Sequence, residues 1–324
     1  MPVKPDIKFK ACVPILHDES PSLTDLSPRD KPWDKHRSNS DRVASHYAGS
    51  DFHRYSERMT FCSELLDFTL KPTDDESYAL KLSSARFCRV RHCPVCQWRR
   101  SLAWKAKAYK VLPQIVEKYP KHRWLFLTLT QKNCKITELR ETIQLMNKAF
   151  KRLTDLKAFP AIGWLKSVEV TRGKDGSAHP HFHCLLMVPG GYFSGRDYLK
   201  QAEWVAMWRK CLRLDYDPIL DVQAIKKGSQ PMQLVPELLK YCTKESDMTV
   251  DREWLLELTR QMHKLRAIAT GGVLKEYLKA LEDEPEDLIH IDGEEEEDVI
   301  ATEEDETHLF FGWKQKEKKY RLLQ

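Results

Sequence analysis

A predicted β-hairpin near the middle of the 324-residue chain constrains the fold most strongly. Residues 164–173 (WLKSVEVTRG) and 179–188 (HPHFHCLLMV) are rich in strand-forming residues, and the turn-prone sequence KDGSA lies between them. Two such runs joined by a short segment that contains glycine are typical of antiparallel strands. The chain is therefore expected to build an antiparallel sheet around this hairpin.

Further elements on both sides of the hairpin predict how the sheet is covered. Their order with the hairpin, β-α-β-β-α-β-α, is typical of an α+β fold in which helices cover one face of an antiparallel sheet. Two more helices are expected after this domain. In chain order the predictions are a strand at 124–130, a helix at 136–153, the hairpin, a helix at 198–214, a strand at 218–227, and helices at 231–245, 251–269 and 273–281.

Composition divides the chain into five predicted segments. The first is polar, rich in proline and serine and without sustained periodicity, so a mobile arm is expected there. It is followed by a small cysteine-rich module with a connecting helix, the sheet domain, a helical extension, and an acidic linker with a basic aromatic tail. The five segments are residues 1–51, 52–119, 120–250, 251–281 and 282–324.

Charge is distributed unevenly along the chain. Residues 282–306 contain 15 acidic residues and no lysine or arginine, whereas residues 1–281 contain 48 basic and 32 acidic residues, a net charge of +16. A basic body favours a polyanionic partner such as nucleic acid, with general solubility as the alternative explanation. No apolar run reaches the roughly 18 residues of a membrane span, and the first residues lack the apolar segment of a signal peptide, so a cytoplasmic location is expected.

Three histidines occupy alternate positions in AHPHFHCLLMVP, at the start of the second hairpin strand. Since side chains alternate between the faces of a strand, His181 and His183 lie on one face and Phe182 on the other. Glu169 on the partner strand is in reach of the same face. Two histidines and one carboxylate leave open the positions that a catalytic divalent ion needs for water or phosphate. A structural role for the histidines is the alternative.

The neighbours of this group are expected to support it. His179 shares the face but precedes Pro180 at the start of the strand, so we expect it to contact DNA or assist the ligands rather than bind the metal. Thr128 and Thr130 alternate with apolar residues in LFLTLTQ and are expected to line the site, or else to belong to an ordinary half-buried strand.

A tyrosine with charged neighbours lies in the predicted helix VPELLKYCTKESD. Helical spacing places Glu237, Tyr241 and Lys244 along one face. A tyrosine acts as a nucleophile when its phenol is deprotonated or its target is strongly polarised. Lys244 is suited to balance the charge of a phenolate or phosphodiester, and Glu237 to accept a proton from water. An ordinary helix surface with a salt bridge is the alternative.

The cysteine-rich module contains the sequence CRVRHCPVCQWRR. Cys88, Cys93 and Cys96, with Cys62 as the fourth thiolate, have spacings that suit a structural zinc ion, and His92 is an alternative to Cys62. Buried reduced cysteines are the competing interpretation. Trp98 and Trp104 are expected in the core rather than stacked on bases. Four arginines suited to phosphate contacts accompany the cysteines: Arg89, Arg91, Arg99 and Arg100.

The ordered motifs LFLTLTQ, EVT with HPHFH, and ExxxYxxK resemble those of the replication initiators of small rolling-circle plasmids, within the HUH endonuclease superfamily. The resemblance covers roughly residues 62–247. It implies that His181 and His183 bind Mg²⁺ or Mn²⁺ and that Tyr241 attacks one strand of the plasmid origin, forming a 5′-phosphotyrosine ester. It further implies that a water activated by Glu237 assists at termination.

Several alternatives and partners follow from this interpretation. A transposase or mobilisation relaxase of the same superfamily would share the metal and tyrosine chemistry, and a non-catalytic, zinc-stabilised DNA-binding repressor would lack it. The expected partners are origin DNA, single-stranded or in a hairpin at the nick site, together with a host helicase and replication machinery. No membrane partner is expected.

Overall fold

The computed structural model describes residues 20–73, 77–226, 231–240, 242–283, 285–289 and 307–323. The α-helices of these ranges are α1 (Leu23–Leu26), α2 (Pro32–Tyr47), α3 (His53–Thr60), α4 (Pro94–Lys118), α5 (Leu139–Thr154), α6 (Gln201–Leu212), α7 (Val235–Leu238), α8 (Glu245–Val250), α9 (Arg252–Gln261) and α10 (Lys275–Leu278). The β-strands are β1 (Leu65–Pro72), β2 (Tyr78–Ala85), β3 (Arg123–Thr130), β4 (Gly163–Arg172), β5 (Ala178–Val188), β6 (Leu220–Ala224), β7 (Ile268–Gly272), β8 (His308–Lys314) and β9 (Lys319–Leu322).

The central sheet is antiparallel, with the strand order β6-β3-β5-β4-β7. β4 and β5 form the predicted hairpin, and Gly176 in its turn has a φ of +82°, which glycine adopts without the steric cost that a side chain would bring. The order β3-α5-β4-β5-α6-β6 agrees with the prediction. The α+β fold with an antiparallel sheet covered by helices is therefore confirmed.

Helices cover both faces of this sheet, whereas the sequence predicted one covered face. On one face α5 and α6 pack through residues such as Phe150 and Trp204 against Phe182 and its neighbours. On the other face α4 packs through Leu112 in a core shared with Phe126. The second layer was missed because α4 was assigned to the cysteine-rich module alone. The face that carries the histidines is thus partly enclosed.

A continuous helix at residues 231–245 is not observed. A 3₁₀ helix at Pro231–Leu234 leads into α7, which ends at Leu238, and α8 begins only at Glu245. Between them the chain joins the end of β4: the N–H of Val170 donates to the carbonyl of Cys242 at 2.8 Å, and Val170 forms a parallel bridge with Thr243. Pairing with the sheet replaces helical hydrogen bonds here, so the assumed helical face does not exist.

The expected helical extension at 251–281 contains a strand. After α9 the chain forms β7, the fifth strand of the central sheet, and then α10. Glycine is required here because a Cβ on Gly271 would lie 2.2 Å from the indole of Trp164. Gly272 has a φ of +59°. Two glycines disfavour a helix and allow the close approach of β7 to β4.

The segment predicted as a mobile arm is helical where it is described. Trp33, Val43 and Tyr47 on α2 are fully or almost fully buried, and Arg37 donates to the carbonyls of Met59 at 3.0 Å and Thr60 at 2.9 Å. Its few apolar residues recur at helical spacing, and polar composition hid this narrow stripe. Residues 1–19 of that segment lie outside the described residues.

The C-terminal tail belongs to the cysteine-rich module. β8 and β9 complete a second antiparallel sheet, ordered β2-β1-β8-β9. Tyr320 is fully buried, and its hydroxyl donates to the carbonyl of Ser63 at 2.6 Å. Most of the predicted acidic linker, residues 290–306, lies outside the described residues. Across the described ranges, no helix is both long enough and apolar enough to span a membrane.

Candidate active site

The β4–β5 pairing builds the predicted histidine–carboxylate group. Glu169 lies directly opposite His181 in the register, and His183 follows on the same face. The Oε2 atom of Glu169 lies 2.7 Å from Nε2 of His181 and 2.9 Å from Nε2 of His183. All three side chains are buried, and one ligand atom from each lies within 4.8 Å of the other two. The strands therefore bring together the three residues that the sequence proposed as ligands.

Glu169 carries a negative charge in this setting. Burial by itself raises the pKa of its carboxyl, but hydrogen bonds with His181, His183 and Lys240 outweigh burial and hold the pKa well below its usual range. An ionised carboxylate beside two imidazole nitrogens is a nitrogen–oxygen donor set that suits a divalent cation.

Lys240 is the charged residue at this site that sequence reasoning missed. Its Nζ lies 2.7 Å from Oε2 of Glu169 and 2.5 Å from Oε1 of Glu237. Burial would lower the pKa of Lys240, but the hydrogen bonds to these two carboxylates raise it. Its position three residues after Glu237, a spacing that allows an ion pair on a helix, was the feature of the sequence that could have identified it. The assumption of a continuous helix directed attention to Lys244 instead.

The residues of the ExxxYxxK motif are placed differently from one another. Glu237 reaches the site from α7, with Oε1 3.9 Å from Nε2 of His183 and half of its side chain exposed. Lys244 is exposed at the N-cap of α8, after the bridge to β4. Tyr241 lies outside the described residues, although the residues before and after it in the chain both contact β4.

The surroundings of the histidines orient them. The ring of His183 stacks on Phe126 at a centroid distance of 5.6 Å, and its Nδ1 lies 3.3 Å from Oγ1 of Thr128. Nδ1 of His181 is buried and has no hydrogen-bond partner among the described residues. Thr128 thus lines the site as expected, whereas Thr130 donates to the carbonyl of Ile219 at 2.7 Å, outside the group.

His179 lies at the rim of the group rather than within it. Its ring centroid is 5.3 Å from that of His181. Burial, followed by the nearby imidazole of His181, lowers the pKa of His179. The structure thus gives it a position beside the ligands, as the sequence predicted.

The four predicted cysteines form a second compact group. Cys62 Sγ lies 3.7 Å from Sγ of both Cys93 and Cys96, and Cys88 Sγ lies 3.6 Å from Cys96 Sγ. All four are buried, and their sulfurs lie within 4.8 Å of one another. Such a set suits tetrahedral coordination. His92 is not part of the group, so Cys62 completes it.

Backbone groups and burial support this arrangement. The N–H of Cys88 donates to Sγ of Cys62 at 3.4 Å, and the N–H of Arg89 donates to Sγ of Cys96 at 3.3 Å. Donors of this kind favour thiolates. His92 is buried with neither ring nitrogen bonded to a described residue, and burial lowers the pKa of its imidazole to about 3.

The arginines proposed for DNA contact bond to carbonyl groups of the protein. Arg99 donates to Leu288 at 2.7 Å and Ile289 at 2.6 Å, and Arg89 donates to Pro285 at 3.4 Å. The other two behave alike, with donation from Arg91 to Leu265 at 2.7 Å and from Arg100 to Arg91 at 3.3 Å and Arg89 at 3.0 Å. The bonds of Arg89, Arg91 and Arg99 connect the cysteine-rich module to residues 265–289, whereas those of Arg100 lie within the module.

The two tryptophans of the module pack against protein groups. Trp104 is buried, and Trp98 packs edge-on against Trp33 at a centroid distance of 4.9 Å. Both positions agree with the core assignment.

Known proteins with similar sequences identify the family. A family described as "Replication protein" matches residues 79–321. The chain belongs to this family, which confirms the resemblance to replication initiators that the motifs indicated. No solved structure matches the chain.

Individual relatives match over most of the chain. The Protein rep of Lactiplantibacillus plantarum is 36% identical over 294 residues, which cover 85% of this chain and 91% of the relative. The Protein rep of Streptococcus pneumoniae serotype 2 (strain D39 / NCTC 7466) is 32% identical, with coverage of 80% and 79%. A Replication protein of Staphylococcus aureus is 34% identical, with coverage of 66% and 96%.

Proposed function

We propose that this replication protein initiates rolling-circle replication of a plasmid by nicking and rejoining one strand of the origin. The observation that carries the proposal is the meeting of Glu169, His181 and His183 at one point of the sheet, beside Lys240 and Glu237. Two imidazoles, a carboxylate, an ammonium and a half-exposed second carboxylate are the groups that phosphodiester transfer to a tyrosine requires.

The buried group fits a divalent metal ion by its donor chemistry. His181 and His183 would offer Nε2 atoms and Glu169 a carboxylate oxygen, and Mg²⁺ or Mn²⁺ is the proposed ion. When bound, such an ion polarises the scissile phosphate and stabilises the charge that develops on it. The lowered pKa of Glu169 keeps its carboxylate ionised and able to attract a cation.

Tyr241 is the proposed nucleophile. Its neighbour Lys240 pairs with Glu169 at 2.7 Å, and the carbonyl of Cys242 accepts from Val170 at 2.8 Å. Both flanking residues are therefore attached to β4 next to the ligand group, which supports an attack from this segment. The phenol gives its proton to solvent water as its oxygen forms a bond to phosphorus, the P–O3′ bond breaks, and the released 3′ oxygen takes a proton from water.

Two charged residues, one in α7 and one just after it, are proposed to perform the remaining steps. Lys240 is proposed to neutralise charge on the phosphodiester or phenolate, the task that the sequence assigned to Lys244. Glu237 is proposed to take a proton from the water that assists at termination, because its carboxylate is half exposed and lies beside His183. His179 is proposed to contact the DNA from the rim of the site.

The four-cysteine group is proposed to hold a structural zinc ion. Its sulfurs are buried on all sides, which leaves no open coordination position for chemistry. Arg89, Arg91 and Arg99 tie the module to later segments of the chain, and DNA contact by these three arginines and Arg100 stays a prediction.

The decisive test is a covalent adduct. Purified protein incubated with Mn²⁺ and labelled single-stranded origin DNA should give an adduct that survives SDS, and Tyr241→Phe should give none because the attacking oxygen is gone. Tyr47→Phe is the matched control, since Tyr47 is buried away from the site and bonds Thr259 at 2.7 Å. Origin binding without any adduct from the wild type would favour the non-catalytic repressor, and efficient joining of mobile-element or transfer-origin ends instead would favour a transposase or relaxase.

A further inference from the structure

A cleft of about 900 Å³ opens at the end of the central sheet that is remote from the ligand group. We call it the basic cleft. The C-terminal end of α4, the start of β3, the loop after β5 and the chain after β6 form its walls. Its lining residues include Tyr119, Lys121, His122, Arg123, Phe193 and Lys226.

The lining is positively charged and unneutralised. It includes the bases Lys121, Arg123 and Lys226, and no acidic residue is among the described residues that line it. None of these bases forms an ion pair with another described residue, and both lysines are exposed. His122 adds a buried Nδ1 that has no hydrogen-bond partner in the described part of the chain. Among the described residues, an anion entering the cleft would meet several donors and no opposing carboxylate.

Aromatic rings accompany these bases. The guanidinium of Arg123 lies 4.6 Å from the ring centroid of Phe193, and its Nη2 donates to the carbonyl of Ile225 at 3.2 Å. These two contacts fix a planar cation in the cleft, and Tyr119 lies on the other wall. A fixed guanidinium with neighbouring aromatic rings can bind a phosphate and stack on a base, the combination used by proteins that hold single-stranded nucleic acid.

The basic cleft and the ligand group lie toward opposite ends of β3. Trp124, Phe126 and Thr128 share the face of β3 that carries the ligand group, but Trp124 and Phe126 are buried in the core under α4, and Arg123 alternates to the other face. A DNA strand that reaches both sites therefore passes around this core. Five residues of β3 separate Arg123 from Thr128, about 17 Å at roughly 3.3 Å per residue. A stacked DNA strand advances about 3.4 Å per nucleotide, so at least about five nucleotides are needed to span this distance.

We infer that the basic cleft binds single-stranded DNA at a position at least about five nucleotides from the nick. This inference rests on the proposed nicking function, because it assigns a second contact to the same DNA strand. The basic cleft increases the affinity for long substrates and fixes their position along the protein. Cleavage of the phosphodiester bond takes place at the ligand group.

The test compares a cleft variant with a charge-matched control. Lys121→Gln/Lys226→Gln removes two exposed charges from the cleft, and Lys148→Gln/Lys157→Gln removes two exposed charges on and just after α5, which covers the opposite face. Binding is measured by fluorescence anisotropy in EDTA, over a series of salt concentrations, so that cleavage does not contribute. Two DNAs are used, extending about two or about ten nucleotides on both sides of the nick.

For the long DNA, the cleft variant should bind with a log–log salt slope smaller by about 1.4, because each lost phosphate contact on a single strand contributes about 0.7. The short DNA should be bound equally by both variants and the wild type. In nicking assays with Mn²⁺, the cleft variant should show a raised KM and an unchanged kcat for the long DNA only.

A second variant examines the aromatic contribution. Phe193→Leu keeps an apolar side chain but removes the ring beneath Arg123, and it should weaken binding of the long DNA by about tenfold, within the range for loss of one base-stacking contact. Thermal unfolding of both variants establishes that they fold.

The outcomes separate this inference from the proposed function. If the wild type nicks DNA but both cleft variants bind the long DNA with wild-type affinity and salt slope, the basic cleft is not a DNA contact. The same conclusion follows if a mononucleotide binds in a manner that depends on the two lysines while DNA binding does not. Absence of nicking by the wild type overturns the proposed function instead, whatever the binding data show.

Discussion

The described part of the chain contains two groups of side chains that could hold a metal ion, and they differ in composition and enclosure. The cysteine group consists of four buried sulfurs that contact one another and backbone N–H groups. The histidine–carboxylate group has three buried members, but Lys240 and the half-exposed Glu237 border it on one side. One group is closed, and the other is open toward charged residues.

We therefore expect the closed cysteine group to act in stability and the open histidine–carboxylate group to act in catalysis. Around a zinc ion, four thiolates would fill a tetrahedral shell and hold together segments that are distant in sequence, since Cys62 follows α3 and Cys96 lies in α4. Two histidines and a carboxylate leave positions for phosphate or water. Loss of the first group should therefore affect folding, and loss of the second should affect cleavage with little effect on folding.

The largest effect is expected for the open group. His181→Ala/His183→Ala should reduce Mn²⁺-dependent nicking at least about 10³-fold, because several kcal/mol of charge stabilisation are lost with the metal ligands. Origin binding and the thermal midpoint should change little. His53→Ala/His263→Ala, two exposed histidines elsewhere, is the control. Cleavage at the wild-type rate by the first variant would remove the metal assignment.

Glu237→Ala tests whether the open group uses separate residues for initial nicking and for termination. Initial nicking should survive, because Lys240 and the three ligand residues remain, whereas the second cleavage should slow about 10²- to 10⁴-fold through loss of a general base. In cells, replication should run past one unit length and accumulate over-long single strands. A loss of initial nicking as complete as that of Tyr241→Phe, or normal termination, would contradict this division of roles.

The closed group should respond in the opposite way. Elemental analysis should find about one zinc per chain, and Cys96→Ser should lower the thermal midpoint by about 10 °C, since a structural zinc site contributes several kcal/mol to folding. Cys134→Ser, which alters a cysteine outside the group, should keep the zinc and the midpoint. Zinc-free protein that unfolds at the wild-type temperature would show that the cysteines are only packed together.

Local patterns predicted the histidine–carboxylate group well because a hairpin fixes its own register. Once β4 and β5 pair, the alternation of side chains decides that Glu169, His181 and His183 share a face. The cysteine group was equally accessible, since its spacing is a local property. Both groups rest on short-range geometry.

Long-range pairing was not predictable from the same patterns. The glycines of β7 disfavour a helix, but only contact with Trp164 explains why a strand forms there. The position of Lys240 depends on the attachment of Cys242 and Thr243 to β4, which ends the helix that the apolar spacing suggested. Similarly, β8 and β9 join β1 across more than 200 residues of sequence.

The smallest expected effect concerns a cation on the face of the sheet opposite to the ligand group. Lys166 on β4 is buried between the rings of Phe150 and Phe182, with Nζ 4.8 and 4.1 Å from their centroids, and it bonds Oδ1 of Asn147 at 2.5 Å. No carboxylate of a described residue pairs with Lys166 there, unlike Lys240. Burial accordingly lowers the pKa of Lys166 to about 8.

Lys166→Met should therefore stabilise the protein at pH 7, by at most about 3 kcal/mol, since one unit of pKa corresponds to about 1.4 kcal/mol. Below pH 8 the lysine is protonated in both states, and the full cost of burying the ammonium opposes folding. Between about pH 8 and 10.5 the unfolded chain binds more protons than the folded one, so wild-type stability rises with pH and the advantage of the variant shrinks.

Denaturant unfolding at pH 7, 8.5 and 10 measures this difference in stability, with Lys148→Met as the exposed control. A destabilised variant at pH 7 would show that the contacts with Phe150, Phe182 and Asn147 outweigh the cost of burial, and that a cation on this face is as well compensated as Lys240 is on the other.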